Sequence, residues 1–173
     1  MPYPGGNIIR VTPTVVEDSA YGAGDVLFTA TKIPNAVSSR GGVSKLISAY
    51  VINQAIQDVN YDIYFFENST SLGTIDATAN IADDDFVAGN LCGVLHVDYD
   101  MADTAATLDN LKVHRIQGLD GGADAIGADT FPMMLKAAEG SRDVYMSAIN
   151  TTGTPTFAEV DDLQFIFHIE YLG

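Results

Sequence analysis

Residues 81–89 read IADDDFVAG, and the run Asp83, Asp84, Asp85 is the stretch that looks most like chemistry. Adjacent carboxylates can hold a cation or share a proton, and acid–base work needs a neighbour that shifts one of their pKa values. No such neighbour stands close in sequence. The same letters also open a helix: an Asp caps the free N–H groups, further acids favour the positive end of the dipole, and Gly89 stops it. A short helix near 83–88 is therefore expected, with Phe86 tucked beneath it and its carboxylates in solvent. An incidental cation site is the alternative.

His96, His114 and His168 each fall within a strand-like run. Three imidazoles from separate strands can meet around a metal, the basis of a cupin-like metal enzyme. Such sites usually take two ligands from one His-x-His segment, and this chain has none. Each histidine is expected singly on a strand face. The segment DGGADAIGAD (120–129) is rich in glycine and aspartate like a calcium loop, but matches neither the EF-hand nor the nonapeptide spacing. A hairpin or edge insertion is expected there, with weak calcium binding as the alternative. Cys92 is the only cysteine, which excludes an intramolecular disulfide and a thiolate cluster. Its neighbours in LCGVLHV predict a buried, inert thiol. The nucleophile elbow GxSxG, the phosphate-binding GxxxxGK[ST] and the dinucleotide GxGxxG are all missing. No catalytic residue, metal or cofactor is expected, and the chain is not expected to be an enzyme.

The charge balance excludes more. Against 23 acidic residues stand 8 basic ones, scattered along 173 residues, for a net charge of −15. Such a field repels phosphates, so direct binding of nucleic acid is not expected. No apolar run approaches the roughly 18 residues of a membrane span. The start MPYPGGNIIR lacks the order of a secretory signal, which predicts a cytosolic origin. The sequons NST (68–70) and NTT (150–152) are then chance.

The elements that must position these residues are strands. DLQFIFHIEYLG sends Leu163, Phe165, Phe167, Ile169 and Tyr171 to one face, and Gln164, Ile166, His168 and Glu170 to the other. NYDIYFFEN is aromatic and β-branched, while KLISAYVIN and LCGVLHV are apolar on both faces. NIIRVTPTVV, DVLFTAT, NLKVHRI, FPMMLKA and DVYMSAIN complete the set, separated by glycine-rich turns. An all-β antiparallel sandwich is expected, with a jelly roll the preferred topology. Residues 1–12 are expected as an extended N-terminal arm and 13–173 as a single sandwich domain.

The blocks YGAGDVL (21–27), KIPNAVSSRGGVSKLISAYV (32–51), DIYFFENS (62–69), DDDFVAG (83–89), LCGVLHV and TTGTPTFAEVDDLQFIF (151–167) follow in order. In that order the chain, from about Tyr21 to its end, resembles small structural proteins of tailed bacteriophages encoded near the major capsid protein. The RGG turn before an apolar strand and the closing TPT…DDL strand carry most of the likeness. DGGADAIGAD looks like an insertion relative to that pattern.

The resemblance implies a capsid decoration or cement protein: a homotrimeric jelly roll on the outer surface of the virion, assembled in the host cytoplasm. Its partners would be the major capsid protein and copies of itself. The contact residues expected on this reading are Pro4, Ile8, Ile9 and Arg10 in the arm and Arg40 in the SRGG turn. The family carries no catalytic residues to transfer. Two alternatives stand beside it: a carbohydrate- or receptor-binding module using Tyr64 and Tyr99, and the cupin-like metal enzyme.

Overall fold

The computed structural model describes residues 5–98, 105–116 and 131–172. Pro4, Tyr99 and the segment DGGADAIGAD lie outside the described residues. The elements are β1 (Gly6–Val11), β2 (Val26–Ile33), β3 (Val43–Asn53), β4 (Asn60–Phe66), α1 (Asp83–Ala88) and β5 (Leu91–Val97). They continue with β6 (Ala105–Leu108), β7 (Leu111–Ile116), β8 (Met133–Lys136), β9 (Val144–Thr152) and β10 (Leu163–Leu172). The strands lie where period-two alternation and turn residues placed them, and β6 is an addition.

The larger sheet runs β1-β10-β3-β7-β6, with β8 sharing β3's edge, and the smaller runs β2-β9-β4-β5. Every ladder is antiparallel. The chain is an all-β sandwich, as its alternation predicts. β10 shows why: Leu163, Phe165, Phe167 and Ile169 are buried, while the residues between them are only half-buried. Across the sandwich Phe165 meets Phe28 at 5.6 Å and Tyr61 at 6.2 Å, and Phe167 meets Phe65 at 5.8 Å, all edge to face. Each such side chain contributes about 1.5–3 kcal/mol by leaving water, plus a smaller ring–ring gain.

The N-terminal arm is corrected. Residues 6–11 are β1, paired with β10 from Gly6↔Glu170 to Val11↔Phe165. Ile9 and Val11 enter the core. The cause is the alternation in NIIRV, which gives a strand one apolar face as soon as the prolines at 2 and 4 are passed.

The helix forms at Asp83–Ala88 as expected, but its capping is corrected. The N-cap residue is Ala82, extended and without a side-chain hydrogen bond, so no aspartate caps it. All three aspartates sit inside the first turn, where they favour the dipole through space. Phe86 packs edge-on against Phe66 at 5.5 Å and Tyr64 at 6.3 Å, pinning α1 over the smaller sheet. Position 89 must be a glycine for want of room, since a Cβ there would lie 2.5 Å from Thr70 Oγ1 and 2.8 Å from Phe66 Cδ1, and the chain leaves the helix at Asn90, which is left-handed at φ 53°. Cys92 is half-buried rather than fully buried, its Sγ 3.6 Å from the Lys136 carbonyl. Burial pushes its thiol pKa up, so it stays protonated and unreactive.

Candidate functional site

The three histidines lie in three separate places. His96 lies on the outer face of the smaller sheet and His168 on the outer face of the larger, alternating with buried neighbours. His114 is buried between the sheets, opposite Val51. With packed sheets about 10 Å apart, these rings cannot share a metal. Among the described residues no group of three His, Cys, Asp or Glu side chains could hold one.

Each histidine has its own role. His96 Nδ1 lies 2.6 Å from Asp62 Oδ1, and that hydrogen bond to a carboxylate holds the imidazole above its ordinary pKa despite partial burial. His114 is pushed below its ordinary value, first by desolvation and then by the Lys112 charge. His168 Nδ1 is 3.0 Å from Ser48 Oγ, and its ring leans on Tyr50 with centroids 5.5 Å apart.

Beside α1 lies an open cleft of about 530 Å³ lined by Asn68, Ser69, Thr70, Asn80 and Asp85, among others. Much of its polar lining holds its own loop together. Asn68 Nδ2 donates to the Ala88 carbonyl at 2.8 Å, and Thr70 Oγ1 donates to the Asn68 carbonyl at 3.1 Å. Asp83, Asp84 and Asp85 are exposed.

The outer face of the larger sheet is the unusual surface. An antiparallel sheet with one wet side normally alternates apolar-in and polar-out. Here the register lines up outward residues in rows across the strands: Arg10–Ile166–Tyr50–Arg115, Ile8–His168–Ser48, and Gln164–Ile52–Val113–Ala106. Ile8 is 52% exposed. Ile47, also exposed, is the extra residue where the β10–β3 register shifts, so the bulge turns it out of the core. A fourth row, Gly6–Glu170–Lys45–Met134, holds the one carboxylate in this set, and Lys45 lies 3.8 Å from it.

Charge is distributed in a telling way. Lys32, Lys45, Lys112 and Lys136 all pair with carboxylates of the chain. The arginines at 10, 40, 115 and 142 are exposed and make no ion pair among the described residues. Two of them, Arg10 and Arg115, end one row. With strands about 4.8 Å apart, their backbones stand about 14 Å from each other, with Ile166 and Tyr50 between.

Of the contact residues expected from sequence, Ile8 and Arg10 lie on this face. Ile9 turns into the core instead, 6% exposed, because it is the residue between them. Arg40 is exposed in the turn before β3 and is not brought to the row. Tyr50 lies seven residues past the start of β3 at Val43, about 23 Å of strand rise. Tyr64 is half-buried against Phe86 and offers no free ring platform. Sequence reasoning missed Arg115, Tyr50 and Ile166 as a set. The available signals were KLISAYVIN, apolar on both faces, and Ile166 interrupting the polar face of β10.

Compared with family models, curated proteins and solved structures, the chain matches none.

Proposed function

We propose that this chain is a structural virion protein of the decoration or cement kind, which binds the outer surface of a phage capsid as an oligomer and acts by burying surface. The observation that carries this reading is the apolar, carboxylate-poor outer face of the larger sheet on a chain of net charge −15. Apolar side chains that stand side by side across neighbouring strands and stay partly exposed, on an otherwise acidic protein, mark an interaction site. The acidic remainder suits a surface turned away from the packaged genome. The interleaved strand order, 1-10-3-7 against 2-9-4-5, supports reading the sandwich as a jelly roll. Copies arranged by symmetry would let modest contacts sum into firm attachment.

Purified chain added to heads assembled without it tests this directly. The expected result is saturable binding and a raised temperature of head disruption. A strictly monomeric chain by light scattering that also fails to bind would remove the reading.

A second reading has one observation on its side. The Tyr50–His168 ring pair stands on an outer sheet face, as a sugar-binding platform would. A glycan array on which the chain binds nothing would dispose of it.

A further inference from the structure

Resting on the virion reading above, we propose that the outer face of the larger sheet docks onto an acidic protein surface of the shell: an apolar centre flanked by carboxylates that meet Arg10 and Arg115. In a chain with 23 acidic residues, the four rows of this face hold one carboxylate, Glu170, and Lys45 neutralises it. Every lysine is paired within the chain, whereas Arg10 and Arg115 make no ion pair among the described residues and stand available to a partner. Arginine is the cation suited to that role, since its fork grips a carboxylate with two hydrogen bonds and tolerates desolvation.

The centre of the face sets the rest of the partner's chemistry. Ile8, Ile52, Ile166 and Val113 are aliphatic, and only Tyr50 and His168 offer rings. Aliphatic side chains reward contact with other apolar side chains, as at the core of a protein–protein interface. A sugar gains most from aromatic faces, of which this surface has few.

A second copy presenting the same face is disfavoured. Two such sheets related by a two-fold axis through the row set arginine opposite arginine, and like charges desolvated together oppose association. The occupant is therefore a surface of opposite charge, and that excludes face-to-face pairing centred on the row.

The experiment uses the full chain and heads assembled without it, with occupancy read after sedimentation at low and high salt. Four variants are compared with the natural chain: Arg10→Glu with Arg115→Glu, the milder Arg10→Gln with Arg115→Gln, Ile166→Ser, and a control, Arg40→Glu with Arg142→Glu. The control changes net charge as the first pair does, at exposed arginines away from the row. The expected result is at least about tenfold weaker binding for the first pair, an intermediate loss for the glutamine pair and for Ile166→Ser, and little change for the control. High salt weakens the natural chain and narrows its difference from the glutamine pair. The glutamine pair, which adds no carboxylate to the sheet, keeps the test sound if the glutamate pair folds poorly.

Equal losses for the first pair and the control would overturn the proposal in favour of bulk charge. Unchanged binding by both arginine pairs would overturn it while leaving the virion reading standing. A natural chain that binds no head removes both. Loss of self-association, rather than of head binding, in the Arg10/Arg115 variants would assign the face to another copy and overturn the proposal as well.

Discussion

Tyr61 brings a hydroxyl into the core and finds nothing to bond among the described residues. It is 2% exposed and edge-on to Phe165. Burial pushes its phenol pKa far up, so the group stays protonated at any physiological pH. Tyr21 shows the usual remedy, accepting from the Val16 amide at 2.7 Å and donating to the Leu27 carbonyl at 3.2 Å. An unbonded buried hydroxyl costs about 1–3 kcal/mol, so removing it returns part of that cost. Tyr61→Phe is expected to raise unfolding stability by about 1 kcal/mol in a urea titration. A loss of similar size would mean that the hydroxyl is satisfied in solution, as by a buried water. The difference between Tyr61 and Tyr21 was not legible in sequence, because both stand in apolar surroundings and only the fold decides what each oxygen meets. The same holds for Gly89. Its place at the end of ADDDFVA is readable, but its reason, the closeness of Thr70 and Phe66, belongs to a loop distant in sequence.

At the scale of single strands, β1 tests whether an inward and an outward residue have been told apart. Ile9 is buried in the core cluster and Ile8 faces out. Ile9→Ala is expected to cost about 2 kcal/mol or more, and Ile8→Ala less than about 0.5 kcal/mol, by denaturant titration. Equal and small effects would restore the picture of residues 6–11 as a loose arm. The strands were legible because each buries one face, and period-two alternation records that directly. Their pairing was not, since nothing in RV at 10–11 or HRI at 114–116 announces that Arg10 and Arg115 end one row. Two strand histidines also predict opposite pH limbs. His96 is raised by Asp62, so its contribution is complete below the ordinary imidazole value of about 6.5 and fades as pH rises through its folded pKa. His114 is lowered by burial and Lys112, with Asp58 opposing, so its contribution is complete above about 6.5 and fades as pH falls toward its folded pKa. Stability from this pair is therefore greatest near their common ordinary value. Melting curves across pH 5–8.5 (about 1.5–2 units either side of that value) should show both limbs. Asp62→Asn should flatten the alkaline limb alone, and an unchanged alkaline limb would remove His96 as its source.

Over the whole molecule, −15 of net charge means that folding gathers carboxylates against their mutual repulsion. Most of the lysine–carboxylate contacts opposing it involve a partner with a well-exposed side chain, and such pairs contribute little. Repulsion therefore wins over the local pairs, and screening it should help. Raising NaCl from 0.01 M to 1 M shortens the screening length from about 30 Å to about 3 Å. The midpoint of thermal unfolding is expected to rise across that range. Attachment through Arg10 and Arg115 depends on attraction between opposite charges, and the same salt should weaken it. The two responses must then diverge, with a chain that folds more firmly as it binds less. A midpoint that falls with salt would show that the acids are held in net attractive arrangements. Stability and binding weakened together would make charge pairing the common support of both, and Arg10 and Arg115 would then have no role apart from that of the paired lysines.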